Sequence, residues 1–434
     1  MYSRVNHFSV YYAQLIGILL LTTAISCRKK ACDEIAPTIQ ITTPTTGEVF
    51  YYQNTIPIEA LITDDQRLES VTVEVTDAQN NRYLASQAFN TNDNRFELNH
   101  TIVHNDLYLS SGNYYVRITA NDGENEQVAF REIQLIEAPR RIERIFTVSS
   151  QGSLTTIDTL HNESIMPCID FNSAYRFGGV ESRTRQLAVT GASPASLMVL
   201  DIPFFLNIPA PFPTSNDLIT AFHHDQREHQ FFWGMQSGDI WTTSTNGTQL
   251  FYASPVNSTL SIITSSPSHI IAISGSPSES TIHVLRRNSG IEETSLLVDW
   301  EIKGAVYLTG ESGRILLLGN QNGAAHFAWL NLTTSAINEV FNFYESSAVQ
   351  STYSCENNDF IVIHDAGIAR YYNLLDNYTL STSVHPNKVV YDDLENEVWA
   401  ITPQALYRMD GAGQLTLQTI PATNLVDAWI QYNK

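Results

Sequence analysis

Short apolar runs return at near-regular intervals through the last two-thirds of the chain. They are Arg144-Ile-Phe-Thr-Val, Arg185-Gln-Leu-Ala-Val, His229-Gln-Phe-Phe-Trp, His269-Ile-Ile-Ala-Ile, Arg314-Ile-Leu-Leu-Leu, Asp359-Phe-Ile-Val-Ile and Glu397-Val-Trp-Ala-Ile. Successive starts are 41, 44, 40, 45, 45 and 38 residues apart. A period of ~40–45 residues holding several short strands is the signature of β-propeller blades. Each period parses into four strands. The clearest holds Leu260-Ser-Ile-Ile-Thr, His269-Ile-Ile-Ala-Ile, Thr281-Ile-His-Val-Leu and Thr294-Ser-Leu-Leu-Val. Gly, Asn, Ser and Asp gather between the strands, as hairpins require. The second strand of each period is the most continuously apolar, as a strand covered on both faces should be.

The ends of this region complement each other. Leu425-Val-Asp-Ala-Trp-Ile-Gln is a strand with nothing after it, and the first recurrence has no strand before it in the same domain. Placing the C-terminal strand innermost, beside Ile145–Ser149, Leu154–Asp158 and Glu163–Cys168, completes a seventh blade and removes two exposed edges. The irregular Pro203–Pro213 insertion leaves six or eight blades open as alternatives. The expected propeller spans 142–434.

Residues 37–138 carry a different rhythm, with apolar positions alternating at period two. Thr38-Ile-Gln-Ile, Ile56-Pro-Ile-Glu-Ala-Leu-Ile, Val71-Thr-Val-Glu-Val, Phe96-Glu-Leu, Tyr114-Tyr-Val-Arg-Ile and Phe130-Arg-Glu-Ile-Gln-Leu-Ile read as strands. Turn formers separate them, including Asp64-Asp65, Asn92-Asp-Asn94 and Asn121-Asp-Gly123. About seven strands in about 100 residues fit an immunoglobulin-like β-sandwich. The stretch Ser110-Ser-Gly-Asn-Tyr-Tyr-Val-Arg-Ile-Thr-Ala-Asn-Asp-Gly123 resembles the late strands of bacterial Ig-like and cadherin-like modules, in which a Tyr packs at the corner. Pro139 marks a linker. The fold class is all-β throughout.

Length and composition agree with two packed domains: 434 residues, 43% hydrophobic and 10% aromatic. The formal net charge of −21, from 45 acidic against 24 basic residues, repels phosphate backbones and excludes a nucleic-acid partner. Four cysteines, Cys27, Cys32, Cys168 and Cys355, are too few for a disulfide framework, and none stands at zinc-site spacing.

At the N-terminus, Leu15-Ile-Gly-Ile-Leu-Leu-Leu follows Arg4 and precedes Thr22-Thr-Ala-Ile-Ser-Cys27. This apolar core is too short for a permanent span and suits an export signal. With Ala24 and Ser26 before Cys27, the segment resembles the lipobox of bacterial lipoproteins. That resemblance implies a signal peptide over 1–26, lipidation at Cys27 and a lipidated tether over 27–36. Arg28 in place of Asp after the cysteine favours the outer membrane. Lys29-Lys30 and Asp33-Glu34 loosely resemble the surface-export signals of Bacteroidota lipoproteins, which leaves the periplasmic and cell-surface faces equally open. The whole chain resembles two-domain Bacteroidota lipoproteins with an Ig-like domain and a WD40/YVTN-like seven-bladed propeller.

Candidate chemistry is sparse. His223-His-Asp-Gln-Arg-Glu-His229 groups three imidazoles and two carboxylates, but at a turn where neighbouring side chains diverge. Asp392-Asp-Leu-Glu-Asn-Glu397 reads as the equivalent turn, expected to be solvated. Asp64, Asp65, Asp122 and Glu124 are weak candidates for calcium, and they equally suit hairpin turns. Phe204, Phe205 and Phe212 could form a binding loop in the insertion, since loops that break a regular scaffold tend to carry function. No nucleophile elbow, phosphate loop or zinc-protease motif occurs, so no catalytic residue and no cofactor is expected. The pattern points to a noncatalytic module for an envelope or surface protein, touching the membrane only through its anchor. The alternative is a glycan-binding protein or carbohydrate-active enzyme using the funnel, which would require converging carboxylates.

Overall fold

In the computed structural model, every regular element among the described residues is a β-strand. Those residues are 34–161, 164–193, 196–202, 204–207, 217–243, 248–309, 313–339, 348–355, 359–365, 367–372, 376–381, 384–410, 414–420 and 424–434. The expected signal peptide, Cys27 with most of the tether, and Phe212 lie outside them. The chain divides into two units, Met1–Pro139 and Arg140–Lys434.

In the first unit, alternation at period two puts one side of each strand into a shared core. Thr38–Thr43, Thr55–Thr63 and Arg95–Val103 form an antiparallel three-stranded sheet with Thr55–Thr63 in the centre. The second sheet has five strands in the order Glu48–Tyr51, Glu126–Ile136, Gly112–Asn121, Ser70–Thr76, Gln87–Asn90. Its Glu48–Tyr51 edge pairs parallel to its neighbour. Ile56, Ile58 and Ile62 of the first sheet share one cluster with Val71, Val73, Val116, Ile118 and Ile133 of the second. Fully burying one such side chain stabilises by about 1.5–3 kcal/mol.

Among the described residues the second unit holds seven four-stranded sheets. Six take consecutive strands in chain order. We number these first to sixth by their leading strands: Tyr175–Glu181, Ile219–Asp225, Leu260–Ser265, Glu301–Tyr307, Val349–Ser354 and Lys388–Asp392. The closing sheet instead joins both ends of the unit. The C-terminal strand Leu425–Tyr432 pairs antiparallel with Ile142–Gln151, which pairs with Leu154–His161, and that with Ser164–Phe171. Each leading strand touches the next, and Leu425–Tyr432 touches both Lys388–Asp392 and Tyr175–Glu181, so seven inner strands form a closed ring. The second unit is a β-propeller.

The apolar runs that mark the sequence period form the second strand of each sheet, and Gln186–Gly191 and Phe360–His364 are buried along their whole length. Each is covered on both faces by adjacent sheets, which explains why its sequence does not alternate. The closing contact is tight. A Cβ at Gly178 would stand 2.4 Å from Trp429 Cζ2 and 2.7 Å from the Ala188 carbonyl oxygen. Six of the seven inner strands also shift register near their start, at Arg176, Thr220, Ser261, Lys303, Gln350 and Val426. Such bulges bend a strand and re-aim its side chains.

Candidate functional site

Polar side chains of the propeller collect at the two ends of the inner strands. Where the strands stop, three of them finish on a carboxylate: Glu181, Asp225 and Asp392. Four loop residues follow each, and the last of them is left-handed: Arg185 (φ 55°), His229 (φ 55°) and Asn396 (φ 57°). Each carboxylate holds its own turn by accepting the backbone N–H two residues on, from Arg183 at 2.8 Å, Arg227 at 3.1 Å and Leu394 at 3.1 Å.

The same carboxylates bind the neighbouring sheet. Glu181 accepts from His224 Nε2 at 2.7 Å and contacts His229 Nδ1 at 3.0 Å, both from the second sheet. Asp225 accepts from Ser265 Oγ at 2.5 Å and from Arg287 at 2.6 Å, both from the third. Asp392 accepts from the Tyr432 phenol of the closing strand at 2.7 Å. Tyr432 in turn donates its backbone N–H to Ser182 Oγ at 2.9 Å. Arg227 reaches forward to the Ser265 carbonyl oxygen and lies 4.5 Å over the Tyr307 ring.

This arrangement settles where the histidine-rich segment goes. Its imidazoles split between two joints, with His224 and His229 on Glu181 and His223 Nε2 against Ser265 Oγ at 2.8 Å. The last trio is no nucleophile relay. The Ser265 hydroxyl gives its proton to Asp225, so it can only accept from His223, and Ser265 is 1% exposed. Burial pushes the His223 imidazole down to about 4. Burial alone would raise Asp225, but the Ser265 hydrogen bond and the charges of His223 and Arg287 hold it far below the usual carboxylate range. Glu181 is lowered against its burial by the His224 hydrogen bond. Leu394, Glu395 and Asn396 of the 392–397 turn are exposed, whereas Asp392 departs from the expectation of a solvated turn. It is wholly buried, because its partner is the last strand of the ring.

At the opposite end, Asp427 of the closing strand is 0% exposed and accepts from Lys388 Nζ of the sixth sheet and the Tyr175 phenol of the first. Burial, then the Asp427 charge, raises Tyr175 well above its ordinary value. Tyr353 of the fifth sheet is raised by burial, and Asp427 adds to the shift. Side chains from three successive inner strands thus meet at Asp427. The partners of Asp427 are a lysine and a tyrosine, not a second carboxylate. The pair of carboxyls that glycoside hydrolysis uses is therefore not what surrounds it.

The remaining candidates are dispersed. Phe205 is left-handed (φ 51°), packs edge-on against Phe146 at 6.4 Å and lies under the Arg144 guanidinium at 5.9 Å, whereas Phe204 is 74% exposed and Leu206 63%. Asp64 Oδ1 accepts the N–H groups of Gln66 and Arg67, and buried Asp122 accepts those of Glu124 and Asn125. Asp65 and Glu124 are exposed. Among the described residues, no three His, Cys, Asp or Glu side chains gather as a metal would require. Cys168 and Cys355 are not joined by a disulfide. Reading the sequence missed Asp427, Lys388 and Tyr175. The usable signal was the lone carboxylate within the apolar strand Leu425-Val-Asp-Ala-Trp-Ile.

No protein-family model and no curated protein matches this chain. Among solved structures, a quinonprotein alcohol dehydrogenase-like protein from Bacteroides thetaiotaomicron aligns at 9% identity and TM-score 0.46, over 91% of this chain and 99% of its own. Dihydro-heme d1 dehydrogenase NirN, in complex with DHE, aligns at 13% identity and TM-score 0.47, over 72% of each chain. The β-propeller domain of Myceliophteria thermophila Cps50 (Swd1) aligns at 10% identity and TM-score 0.42, over 56% of this chain and 85% of its own.

Proposed function

We propose that this chain is a cell-envelope lipoprotein, anchored at the outer membrane through Cys27, whose seven-bladed propeller (142–434) binds another protein without catalysing a reaction. The seven sheets with one closed inner ring support the blade count. An immunoglobulin-like sandwich over 37–138 serves as a spacer. Its support is the Tyr114 phenol, which donates to the Ser110 carbonyl oxygen at 3.0 Å in the manner of a tyrosine corner.

The observation that carries the noncatalytic reading is that four buried carboxylates of the inner strands are tied to neighbouring sheets. Glu181, Asp225, Asp392 and Asp427 each accept a side-chain hydrogen bond from a neighbouring sheet. Groups held this way join the ring together and are not poised over a substrate. The exposed Phe204 and Leu206 offer an apolar contact of the kind that anchors protein interfaces.

Crosslinking in intact envelopes, followed by capture of the lipidated protein, tests this reading. One protein should be recovered with the wild type and lost with Phe204→Ser combined with Leu206→Ser. Cys27→Ser should release the chain from the membrane fraction. Specific retention of glycans with no protein partner, or hydrolysis of a glycan by the purified chain, would replace this reading with the carbohydrate one.

A further inference from the structure

A carboxylate taken out of water is costly unless something meets its oxygens. Glu74, Asp122, Glu181, Asp225, Asp392 and Asp427 are all buried, and each accepts a hydrogen bond. Asp158 is different. It lies in Leu154–His161 of the closing sheet and is 9% exposed, yet among the described residues its side chain makes no hydrogen bond or ion pair. Its Oδ1 is enclosed with no donor beside it. Burial, then the charge of Asp170, raises its pKa, and no cation acts the other way.

The surroundings of Asp158 add oxygen and not positive charge. Thr147 stands directly opposite it in the ladder, is 1% exposed, and its Oγ1 is likewise enclosed without a partner. Facing residues of antiparallel strands hold their Cβ atoms roughly 4.5–5.5 Å apart, so hydroxyl and carboxylate come within reach of one ion without bonding each other. Asp170 pairs opposite Thr156. Alternation puts Thr156 and Asp158 on one face of their strand, so both carboxylates leave the sheet on the same side. Cys168 is the extra residue of a bulge between the partners of Ile157 and Asp158. A bulge leaves backbone groups outside the ladder, and carbonyl oxygens are calcium ligands. Two carboxylates and a hydroxyl are not the three His, Cys, Asp or Glu side chains of a self-contained metal centre, which is absent among the described residues. Calcium differs in filling an irregular shell of roughly six to eight oxygens partly from backbone and water. Its two charges balance the two carboxylates.

We infer that the closing sheet carries a calcium site in which Asp158 and Asp170 bind the ion and Thr147 Oγ1 adds an oxygen from the facing strand. The site is separate from the turn carboxylates Asp64, Asp65, Asp122 and Glu124 of the first unit. It does not depend on the protein-binding role proposed above.

Titration of the full-length chain in detergent with calcium chloride, after chelator treatment and at constant ionic strength, tests the site by calorimetry and by melting temperature. Calcium should bind the wild type saturably, with a dissociation constant of about 10⁻⁴–10⁻³ M, and raise its melting temperature. Asp158→Asn should remove that binding step, Asp170→Asn should weaken it about tenfold or more, and Asp65→Asn should leave it unchanged. In chelator, Asp158→Asn should melt no lower than the wild type, because the amide replaces an unpaired buried charge. Its loss of binding then reports the ligand and not the fold. The inference is overturned if calcium fails to bind the wild type at up to about 10 mM, or if Asp158→Asn binds as the wild type does. Should that variant not fold, exposed Asp170 carries the test, and an unchanged calcium affinity in Asp170→Asn overturns the site equally.

Discussion

Single side chains in the propeller do two tasks at once, and this sets how they respond to pH. His223 is held near 4 by burial, whereas an unfolded imidazole takes up its proton near pH 6.5. The unfolded chain therefore binds more protons across that interval, so stability is full above pH 6.5 and falls as pH drops toward 4. The loss amounts to about 3 kcal/mol at most. Melting temperature followed against pH should fall more steeply in the wild type than in His223→Gln between pH 6.5 and 4. Parallel profiles would remove His223 as the cause. Asp225, depressed by Ser265 and Arg287, adds a loss in the same direction at still lower pH. Tyr432→Phe deletes the phenol that Asp392 accepts from and strands a buried carboxylate. The expected cost is about 1–3 kcal/mol, read as a lower denaturant midpoint with an unchanged slope. None of these pairings was legible in the sequence. Glu181 and His224 are 43 residues apart, and only the stacking of sheets makes them neighbours.

At the scale of elements, the closing strand bears more than its own length suggests. It supplies Asp427 to the sixth and first sheets, Tyr432 to Asp392, and Trp429 to the contact at Gly178. Gly178→Ala should cost about 1–3 kcal/mol by overpacking against Trp429. Removing 425–434 should expose the edge of Ile142–Gln151 and give aggregation or a broad, poorly cooperative melt. A sharp transition at the wild-type temperature would contradict the role given to this strand. The sequence revealed the second strand of each sheet because burial on both faces forces unbroken apolar runs. It did not reveal Glu48–Tyr51 or Gln87–Asn90, edge strands of the first unit in which few side chains are buried. Backbone pairing and one phenylalanine each, Phe50 and Phe89, place them, too little to mark the hydropathy pattern.

For the whole molecule, two units with separate cores should unfold as two events. Calorimetry of the full chain should resolve two transitions, and residues 140–434 expressed alone should keep one of them. A single transition that vanishes when the first unit is cut away would show that neither stands by itself. The ring also orders events in time. Ile142–Gln151 is made before the six sheets that take consecutive strands, and the strand that completes its sheet is made after them. Six whole sheets must therefore be synthesised while one waits a strand short, its apolar flank open to the wrong neighbour. The circle is whole only once residues 425–432 arrive, and a stop codon just ahead of them would leave nearly all of the ring made but unjoined.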